Sequence, residues 1–380
     1  MHKHIFKWLP GLLFVLILCG FTATEALSES KTYSAVEKRE LQTCPKPTVK
    51  TIKNGKFQKR FETYLSDQFP QRDRWVSLQT DVSLLAGKKE INGVYFGKDK
   101  YLLEHYTKAD FDAKQLNKNL KALAAFVDRA KADASVHVMM VPTKSWTLRA
   151  KLPAFAPHYE ESAFFAALHK ALGKDADSVL IPVEEAMQNH AQEAIYYRTD
   201  HHWTTLGAWY GYEAYTKAVG NDRQQALAKK QFRCVSKNFY GTTYAKVNRA
   251  PKADEIWLYE PKKPLQVIYN MGEKTTQTLY DHSCLNTTDQ YRVFTGGNQA
   301  VLTITGGAEN GKTLLLIKDS FANSMLPFLS EDYEKVVVVD MRMLNIKGNT
   351  LLQMFTPTDI LILYNSAQFS VDTAFAVSFR

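Results

Sequence analysis

Apolar residues follow two patterns that alternate along most of the chain. Short, mostly apolar runs occur at 136–141, 313–317, 336–340 and 359–364. Strands that are buried on both faces have this composition. Apolar stripes with helical spacing lie elsewhere, for example at 116–134 and 163–172. Because strands that alternate with helices form parallel sheets covered by helices, the pattern predicts an α/β fold with a central, mostly parallel sheet.

The middle of the chain shows weaker and shorter runs. Two of them, 178–183 and 195–198, are predicted to be further strands. Between residues 232 and 311 the strand-like runs are short and are separated by turn residues. This spacing is typical of antiparallel sheet. We therefore predict a central antiparallel β insertion at 232–311.

The first 27 residues have the layout of an export signal. A basic start precedes an apolar segment at 9–21 and a small, polar end. The segment 1–27 is predicted to be a signal peptide or, because the residues before Leu27 form an imperfect cleavage site, an N-terminal membrane anchor. In both cases the body is expected to be exported, either extracellular or in the cell envelope. We predict a linker at 28–54 and a catalytic domain at 55–380, which includes the insertion.

Charge and cysteine content add predictions about binding partners and disulfides. The 380 residues carry a formal net charge of +9. The lysines are spread along the chain and no nucleic-acid-binding motif occurs, so a surrounding anionic envelope or glycan explains the charge better than nucleic acid. An exported protein can form disulfides. We predict that Cys234 pairs with Cys284 and that Cys44 is spare, with free thiols as the alternative.

One polar and aromatic cluster, at 196–205, contains adjacent histidines. On extended backbone Asp200 and His202 lie on the same face. A carboxylate beside an imidazole fixes its tautomer, as in the orienting half of an acyl-transfer triad. A buried histidine pair or a metal site is the alternative, although too few further ligands lie nearby for a metal, and we predict no metal. The flanking Tyr197, Arg198 and Trp203 could contact a sugar or a carboxylate, or pack in the core.

A nucleophile is predicted where the run 313–317 turns into a helix. Ser320 lies at or near the N-terminus of that helix, where unpaired backbone N–H groups can receive an oxyanion. The alternative is that Asp319 or Ser320 is simply an N-cap. Asn365 ends a strand at the same sheet edge and is predicted as a second oxyanion donor, or else is a turn residue. Gly241 is either a backbone donor or, more simply, a turn glycine. Asp281, His282 and Ser283 also combine the three triad residue types, but neighbours in sequence point apart.

These motifs resemble the DHHW proteins of Gram-positive bacteria, which are related to the SGNH hydrolase-like acyltransferase domains of the alginate O-acetylation machinery. The resemblance covers roughly residues 35–380. It is carried by separated motifs, namely Thr199-Asp200-His201-His202-Trp203, Lys318-Asp319-Ser320-Phe321-Ala322-Asn323, Asp67-Gln68-Phe69-Pro70, Asn92-Gly93-Val94-Tyr95, Val141-Pro142-Thr143-Lys144 and Phe239-Tyr240-Gly241-Thr242. One departure is Lys318, which stands where the related Gly-Asp-Ser motif has glycine.

The resemblance implies a three-layer α/β/α fold and a catalytic triad of Ser320, His202 and Asp200. The Ser320 N–H and Asn365 would form the oxyanion hole. Substrate-binding residues are expected to be His201, Trp203, Arg198, Tyr197 and Lys144.

The implied activity is that of an exported O-acetyltransferase or acetylesterase. It would act on a cell-envelope or extracellular polysaccharide without a cofactor. A membrane-bound O-acyltransferase is the implied partner. Two alternatives stay open, a catalytically inactive glycan-binding or envelope-assembly protein of the same fold, and a lipid or peptide esterase.

Overall fold

The computed structural model describes residues 2–27, 29–220 and 231–380. Met1 and Ser28, which begin the predicted targeting segment and linker, lie outside the described residues. The chain divides into two compact units, Met1–Lys88 with Ala245–Arg249, and Lys89–Tyr244 with Ala250–Arg380. The domain boundaries at 27, 54 and 55 stay predictions.

The first unit is mostly helical. Its elements are α1 (His2–Leu27), β1 (Tyr33–Ser34), β2 (Arg39–Glu40), α2 (Val49–Lys53), α3 (Lys56–Asp67) and α4 (Arg72–Leu85). Asp67 is buried at the end of α3 and receives two hydrogen bonds from the Arg39 guanidinium, at 2.5 and 3.0 Å. This pairing holds the β1–β2 ribbon against α3. Among the described residues, no helix combines the length and the apolar character that crossing a membrane requires.

The second unit contains the large sheet. Its strands are β3 (Glu90–Ile91), β4 (Val94–Phe96), β5 (Leu102–Glu104), β6 (Ser135–Val141), β7 (Phe232–Phe239), β8 (Asp254–Tyr259), β9 (Gln266–Tyr269), β10 (Lys274–Thr276), β11 (Val301–Thr305), β12 (Thr313–Lys318), β13 (Lys335–Val339) and β14 (Asp359–Asn365). Seven of these strands form one sheet in the order β10-β9-β11-β13-β12-β14-β6. There are also two smaller antiparallel sheets in this unit. One contains the three strands β3, β4 and β5, and the other contains β7 and β8.

The parallel core consists of the four strands that the apolar runs predict. β12 pairs in parallel with β13 and β14, and β14 pairs in parallel with β6. The predicted insertion is antiparallel, and three of its strands extend the same sheet: β11 pairs with β13, and β9 joins β11 to β10. The parallel strands therefore share one carboxyl edge, where Asn365 lies opposite Val141.

Helices cover both faces of the sheet. They are α5 (Ala113–Ala130), α6 (Lys144–Thr147), α7 (Ser162–Leu172), α8 (Ala176–Val179), α9 (Val183–Asn189), α10 (Thr205–Ala218), α12 (Leu326–Leu329), α13 (Gly348–Phe355), α14 (Ser366–Val371) and α15 (Thr373–Phe379). A further helix, α11 (Thr242–Val247), is divided between the two units. Successive strand residues point to opposite faces. Accordingly, Leu316 and Leu363 pack with α9, α10 and α12, whereas Ile317 and Tyr364 pack with α5, α7 and α15. The result is a three-layer α/β/α arrangement.

Two predicted strands are wrong. Residues 178–183 include the end of α8 and the first residue of α9, and between them Leu180 forms only a single bridge with Val138. Proline at 182 lacks the N–H that would continue a ladder. Residues 195–198 form only an isolated antiparallel bridge, between Tyr196 and Trp203. At the end of the segment the backbone N–H groups of Arg198 and of the following Thr199 donate to the Asp254 carboxylate, at 2.8 and 2.7 Å, instead of to a neighbouring strand.

The predicted disulfide is also wrong. Cys234 and Cys284 are both free, as are the other two cysteines. Cys234 lies in β7, where its thiol donates to the Ser236 carbonyl at 3.4 Å. Cys284 is buried in a short 3₁₀ turn, His282–Asn286. The structure instead agrees with the alternative prediction, in which the thiols are free.

Candidate active site

Ser320 begins a short 3₁₀ turn, Ser320–Ser324, directly after β12 at the carboxyl edge of the parallel strands. Asp319 is the N-cap of this turn, and its carboxylate accepts from the N–H groups of Phe321 (2.9 Å) and Asn365 (2.8 Å). The cap thus ties the turn to the end of β14. Because first-turn N–H groups have no acceptor within a helix, the Ser320 N–H is available to a ligand.

Asp200 is buried, and its carboxylate accepts four hydrogen bonds. Oδ1 accepts from the N–H of His202 (2.9 Å) and from its ring Nδ1 (2.5 Å). Oδ2 accepts from the N–H (2.8 Å) and hydroxyl (3.0 Å) of Thr242. Burial alone would raise the pKa of Asp200, but its electrostatic interactions with His202 and His201 and these hydrogen bonds hold it well below its usual range. Asp200 is therefore ionised at neutral pH and keeps the proton of His202 on Nδ1.

His202 connects the carboxylate to the serine. Its Nε2 lies 2.8 Å from Ser320 Oγ. Since Nδ1 carries the proton, a neutral ring has a lone pair on Nε2, and the Ser320 hydroxyl donates to it. The ring is held between two others: Tyr291 stacks at 3.9 Å between centroids with planes 10° apart, and His201 lies at 3.9 Å and 35°. The arrangement can take the proton from Ser320 as its oxygen attacks a carbonyl carbon.

Gly241 has a different role from both that were predicted for it. A Cβ at this position would lie 2.6 Å from Asp200 Cγ and closer still to Asp200 Cβ and Oδ2. Its N–H donates to Thr199 Oγ1 at 3.1 Å. The missing side chain therefore lets the loop that carries Thr242 approach the carboxylate closely enough to donate both of its hydrogen bonds.

Lys318 is the departure from the related motif, and it is buried. Its ammonium donates to the side-chain oxygens of Asn323 (2.8 Å) and Asn298 (3.0 Å) and lies 3.6 Å from Asp340 Oδ2. Burial lowers the pKa of Lys318 to about 8. The lysine thus ties the serine turn to the neighbouring loop and to the residue that follows β13.

Asn365, predicted as an oxyanion donor, has its side chain engaged elsewhere. Its amide nitrogen donates to the Val141 carbonyl at 3.1 Å, and its oxygen accepts from the N–H of Ala367 at 3.2 Å. The residue caps α14 and joins β14 to the end of β6. The oxyanion role of Asn365 stays a prediction.

The predicted substrate-binding residues differ in exposure. Tyr197, Trp203 and Lys144 are buried. Trp203 Nε1 donates to the Phe321 carbonyl at 2.8 Å, and Lys144 Nζ donates to the Asp200 carbonyl at 2.8 Å. Arg198 is partly buried and lies over the Tyr101 ring. The His201 side chain is 34% exposed, which makes it the most accessible ring beside His202; substrate contact by all five stays a prediction.

The Asp200, His201 and His202 side chains also form the one group of three potential metal ligands in the described part of the chain, with ligand atoms within 4.8 Å of one another. In this structure the nitrogens that approach Asp200 make hydrogen bonds. His202 Nδ1 donates to Asp200, and His201 Nδ1 lies 2.6 Å from Thr242 Oγ1. The predicted absence of a metal stays a prediction.

Two supporting residues were not predicted as part of the site. Thr242 lies within the quoted stretch Phe239-Tyr240-Gly241-Thr242, so the motif itself was the available signal. Tyr291 stacks on His202, and its hydroxyl donates to the Ser320 carbonyl at 3.2 Å. It lies in a 3₁₀ turn of the insertion, Gln290–Val293, and no pattern around it points to the site.

Comparison with known families identifies one match over most of the second unit. The model of the family described as "DHHW protein" matches residues 106–339. A curated relative, "Probable alginate O-acetylase AlgJ" of Pseudomonas syringae pv. tomato, is 28% identical over 167 residues, which are 42% of this chain and 41% of that protein. The chain therefore spans less than half the length of that relative. The predicted relation to these two groups is confirmed.

Solved structures share the fold. A DHHW family protein from Eubacterium siraeum has a TM-score of 0.63 at 22% identity, over 76% of this chain and 95% of that one. PatB1 of Bacillus cereus, in a structure with a sulfonyl adduct, has a TM-score of 0.60 at 21% identity, over 76% and 98% of the two chains. The predicted SGNH hydrolase-like α/β/α fold is confirmed.

Proposed function

The chain belongs to the DHHW protein family, and on that premise we propose that it is a serine-dependent O-acetyltransferase that acetylates a polysaccharide. One observation carries the proposal: Asp200, His202 and Ser320 form a continuous hydrogen-bonded chain, with contacts of 2.5 and 2.8 Å. This is the arrangement that acyl transfer through a serine requires. It is assembled from segments 118 residues apart at the carboxyl edge of the sheet.

The proposed reaction has two halves. In the first, Ser320 Oγ attacks the carbonyl carbon of an acetyl donor while His202 Nε2 takes the hydroxyl proton. The leaving group departs with that proton, and an acetyl-serine is left. Asp200 stabilises the imidazolium that forms between the two transfers. The N–H of Ser320 is the oxyanion donor that we propose. The Asn365 amide has two hydrogens, and it could add a second donor by giving up its longer contact with the Pro142 carbonyl, at 3.4 Å, while it keeps the bond to the Val141 carbonyl.

In the second half an acceptor hydroxyl replaces the donor. Its oxygen attacks the acetyl carbon, its proton passes to His202, and Ser320 leaves with a proton from the same ring. When water is the acceptor, the same groups catalyse hydrolysis, and the protein is an acetylesterase. Exclusion of water and binding of the acceptor decide between these outcomes.

The relatives and the sequence support the substrate and location that we propose. The curated relatives are named for alginate O-acetylation, and we propose a cell-envelope or extracellular polysaccharide as acceptor for this chain. We also propose that the protein is exported and that residues 1–27 direct the export or anchor the protein. A membrane-bound O-acyltransferase that supplies acetyl groups is the partner that this arrangement would need.

A serine-reactive fluorophosphonate probe tests the proposed nucleophile. Wild type should be labelled at Ser320, and Ser320→Ala should not be labelled. Ser283→Ala is a matched control, because Ser283 is exposed beside His282 and donates to Asp281 at 2.5 Å, yet lies outside the proposed triad. Labelling of Ser320→Ala equal to that of wild type would refute the assignment. Absence of labelling in wild type would favour a glycan-binding protein without turnover.

Acetyl transfer is tested with 4-nitrophenyl acetate as donor. Release of nitrophenol measures acylation, and mass spectrometry of added polysaccharides measures transfer. We expect Ser320-dependent acetylation of at least one envelope or extracellular polysaccharide. Nitrophenol release without acetylation of any polysaccharide would assign the protein as an esterase.

A further inference from the structure

The rings of His201 and His202 form a close, tilted pair beside one carboxylate. Their centroids are 3.9 Å apart and their planes differ by 35°. Both Nδ1 atoms approach Asp200 Oδ1, at 3.8 Å for His201 and 2.5 Å for His202. Since Nδ1 and Nε2 lie on different edges of an imidazole, both Nε2 atoms are directed away from the carboxylate. His202 Nε2 contacts the Ser320 hydroxyl. His201 Nε2 belongs to the neighbouring ring.

The hydrogen bonds around Thr242 assign the proton on His201. The Thr242 hydroxyl has one hydrogen, which it donates to Asp200 Oδ2 at 3.0 Å. Its oxygen lies 2.6 Å from His201 Nδ1, so Nδ1 must be the donor in that contact. Burial among packed neighbours, and His202 whenever that ring is protonated, lower the pKa of His201 to about 4. The ring is therefore neutral at pH 7, and its Nε2 carries a lone pair.

This lone pair is accessible and unused. Within residues 2–27, 29–220 and 231–380, the His201 ring makes one hydrogen bond, through Nδ1 to the Thr242 hydroxyl. His201 Nε2 is not a buried atom without a partner. About a third of the His201 side chain is exposed to solvent. A hydrogen-bond acceptor thus faces solvent beside the base that would activate the acetyl acceptor.

We propose that His201 Nε2 binds a second hydroxyl of the acetyl acceptor, so that the acceptor is a vicinal diol of the kind found on sugar rings. This inference rests on the proposed function. The reacting hydroxyl has a single hydrogen, and this hydrogen passes to His202 as the oxygen attacks the acetyl carbon and Ser320 Oγ leaves and regains a proton. His201 Nε2 therefore needs a different donor, and a second hydroxyl of the acceptor can supply it. The adjacent hydroxyl of a diol meets this need because the two imidazoles lie side by side.

Two isomeric alcohols test the proposal: trans-1,2-cyclohexanediol and trans-1,4-cyclohexanediol have the same number of hydroxyls, and only the first has them adjacent. Both compete for one acetyl-enzyme formed from 4-nitrophenyl acetate, so defects in acylation cancel in the ratio of the two products. A net hydrogen bond corresponds to about tenfold in rate. We expect wild type to acetylate the 1,2-diol about tenfold faster than the 1,4-diol.

His201→Phe keeps the stacked ring and removes the acceptor atom, so the ratio should fall to about one. His201→Gln retains an acceptor oxygen and should keep part of the preference for the 1,2-diol. This variant also provides the test if His201→Phe does not fold. A wild-type ratio near one, or a ratio that both variants leave unchanged, overturns the role of His201. Acetylation of either diol by Ser320→Ala at the wild-type rate would instead overturn the proposed function itself.

Discussion

Gly241→Ala should disable the triad without removing any of its members. The new Cβ would lie 2.6 Å from Asp200 Cγ, whereas carbon atoms in contact are about 3.5–4.0 Å apart. Asp200 Cβ and Oδ2 would lie closer still, so relief of the clash requires a displacement of at least about 1 Å between the Gly241 loop and Asp200. That displacement stretches both hydrogen bonds from Thr242 and moves the carboxylate that orients His202.

The expected loss of activity follows from this displacement. A misplacement of about 1 Å near reacting groups costs about hundredfold in rate, or about 2.7 kcal/mol of transition-state stabilisation. Overpacking of this kind also lowers the free energy of unfolding by about 1–3 kcal/mol. The rate of Ser320 labelling by the fluorophosphonate probe measures the first effect, and thermal unfolding measures the second.

A second glycine provides the control for destabilisation. A Cβ at Gly97 would lie 2.7 Å from the Lys151 carbonyl oxygen and 2.8 Å from Leu103 Cδ1, and none of these atoms belongs to the triad. Gly97→Ala should lower stability to a similar extent while the folded protein is labelled at nearly the wild-type rate. Labelling of Gly241→Ala within twofold of wild type would refute the reasoning, because the close approach of Gly241 would then be irrelevant to the carboxylate.

Three further predictions concern the carboxylates and the thiols. Asp200→Asn should lower the rate of nitrophenyl acetate cleavage by about ten-thousandfold, because an amide favours the wrong tautomer of His202; a loss below tenfold would contradict the orienting role. Burial raises the pKa of Glu161 from 4.5 to about 7, so the stability that its protonated form provides is present below pH 4.5 and is lost as pH rises through 7. The unfolding free energy of wild type relative to Glu161→Gln should therefore fall by about 3 kcal/mol over that interval, whereas equal slopes in denaturant titrations would show that Glu161 is not perturbed. Since all four cysteines are free, a reductant should leave the thermal unfolding midpoint unchanged, and a downward shift would reveal a disulfide.

The parallel core could be predicted from the sequence because each of its strands is buried on both faces. β12 and β14, for example, are almost uniformly apolar and fully buried over most of their length. Such uniformly apolar runs are compatible with few structures other than a buried strand. The segment 195–198 has a similar β-branched and aromatic character, but its backbone N–H groups bind Asp254, which lies more than fifty residues away. No local pattern reveals that competition.

Residue types around the site were easier to predict than their exposure. Tyr and Trp have a large apolar body and one polar atom, so a polar and aromatic cluster is compatible with either a binding surface or a core. Trp203 is buried and donates to the Phe321 carbonyl, whereas its near neighbour His201 is partly exposed. The difference depends on which side of the loop faces the serine turn, and this is decided by tertiary contacts.

The insertion proves to be part of the site through its supports for the triad. Ser320 follows β12 at the carboxyl edge of the parallel strands. Thr242 binds the far side of the Asp200 carboxylate, and Tyr291 stacks on His202 while its hydroxyl reaches the Ser320 carbonyl. Both residues lie between 232 and 311. The nucleophile thus follows a strand of the parallel core, and the acid–base pair is supported by the insertion. Changes at Thr242 or Tyr291 should therefore alter proton transfer while the parallel strands stay intact.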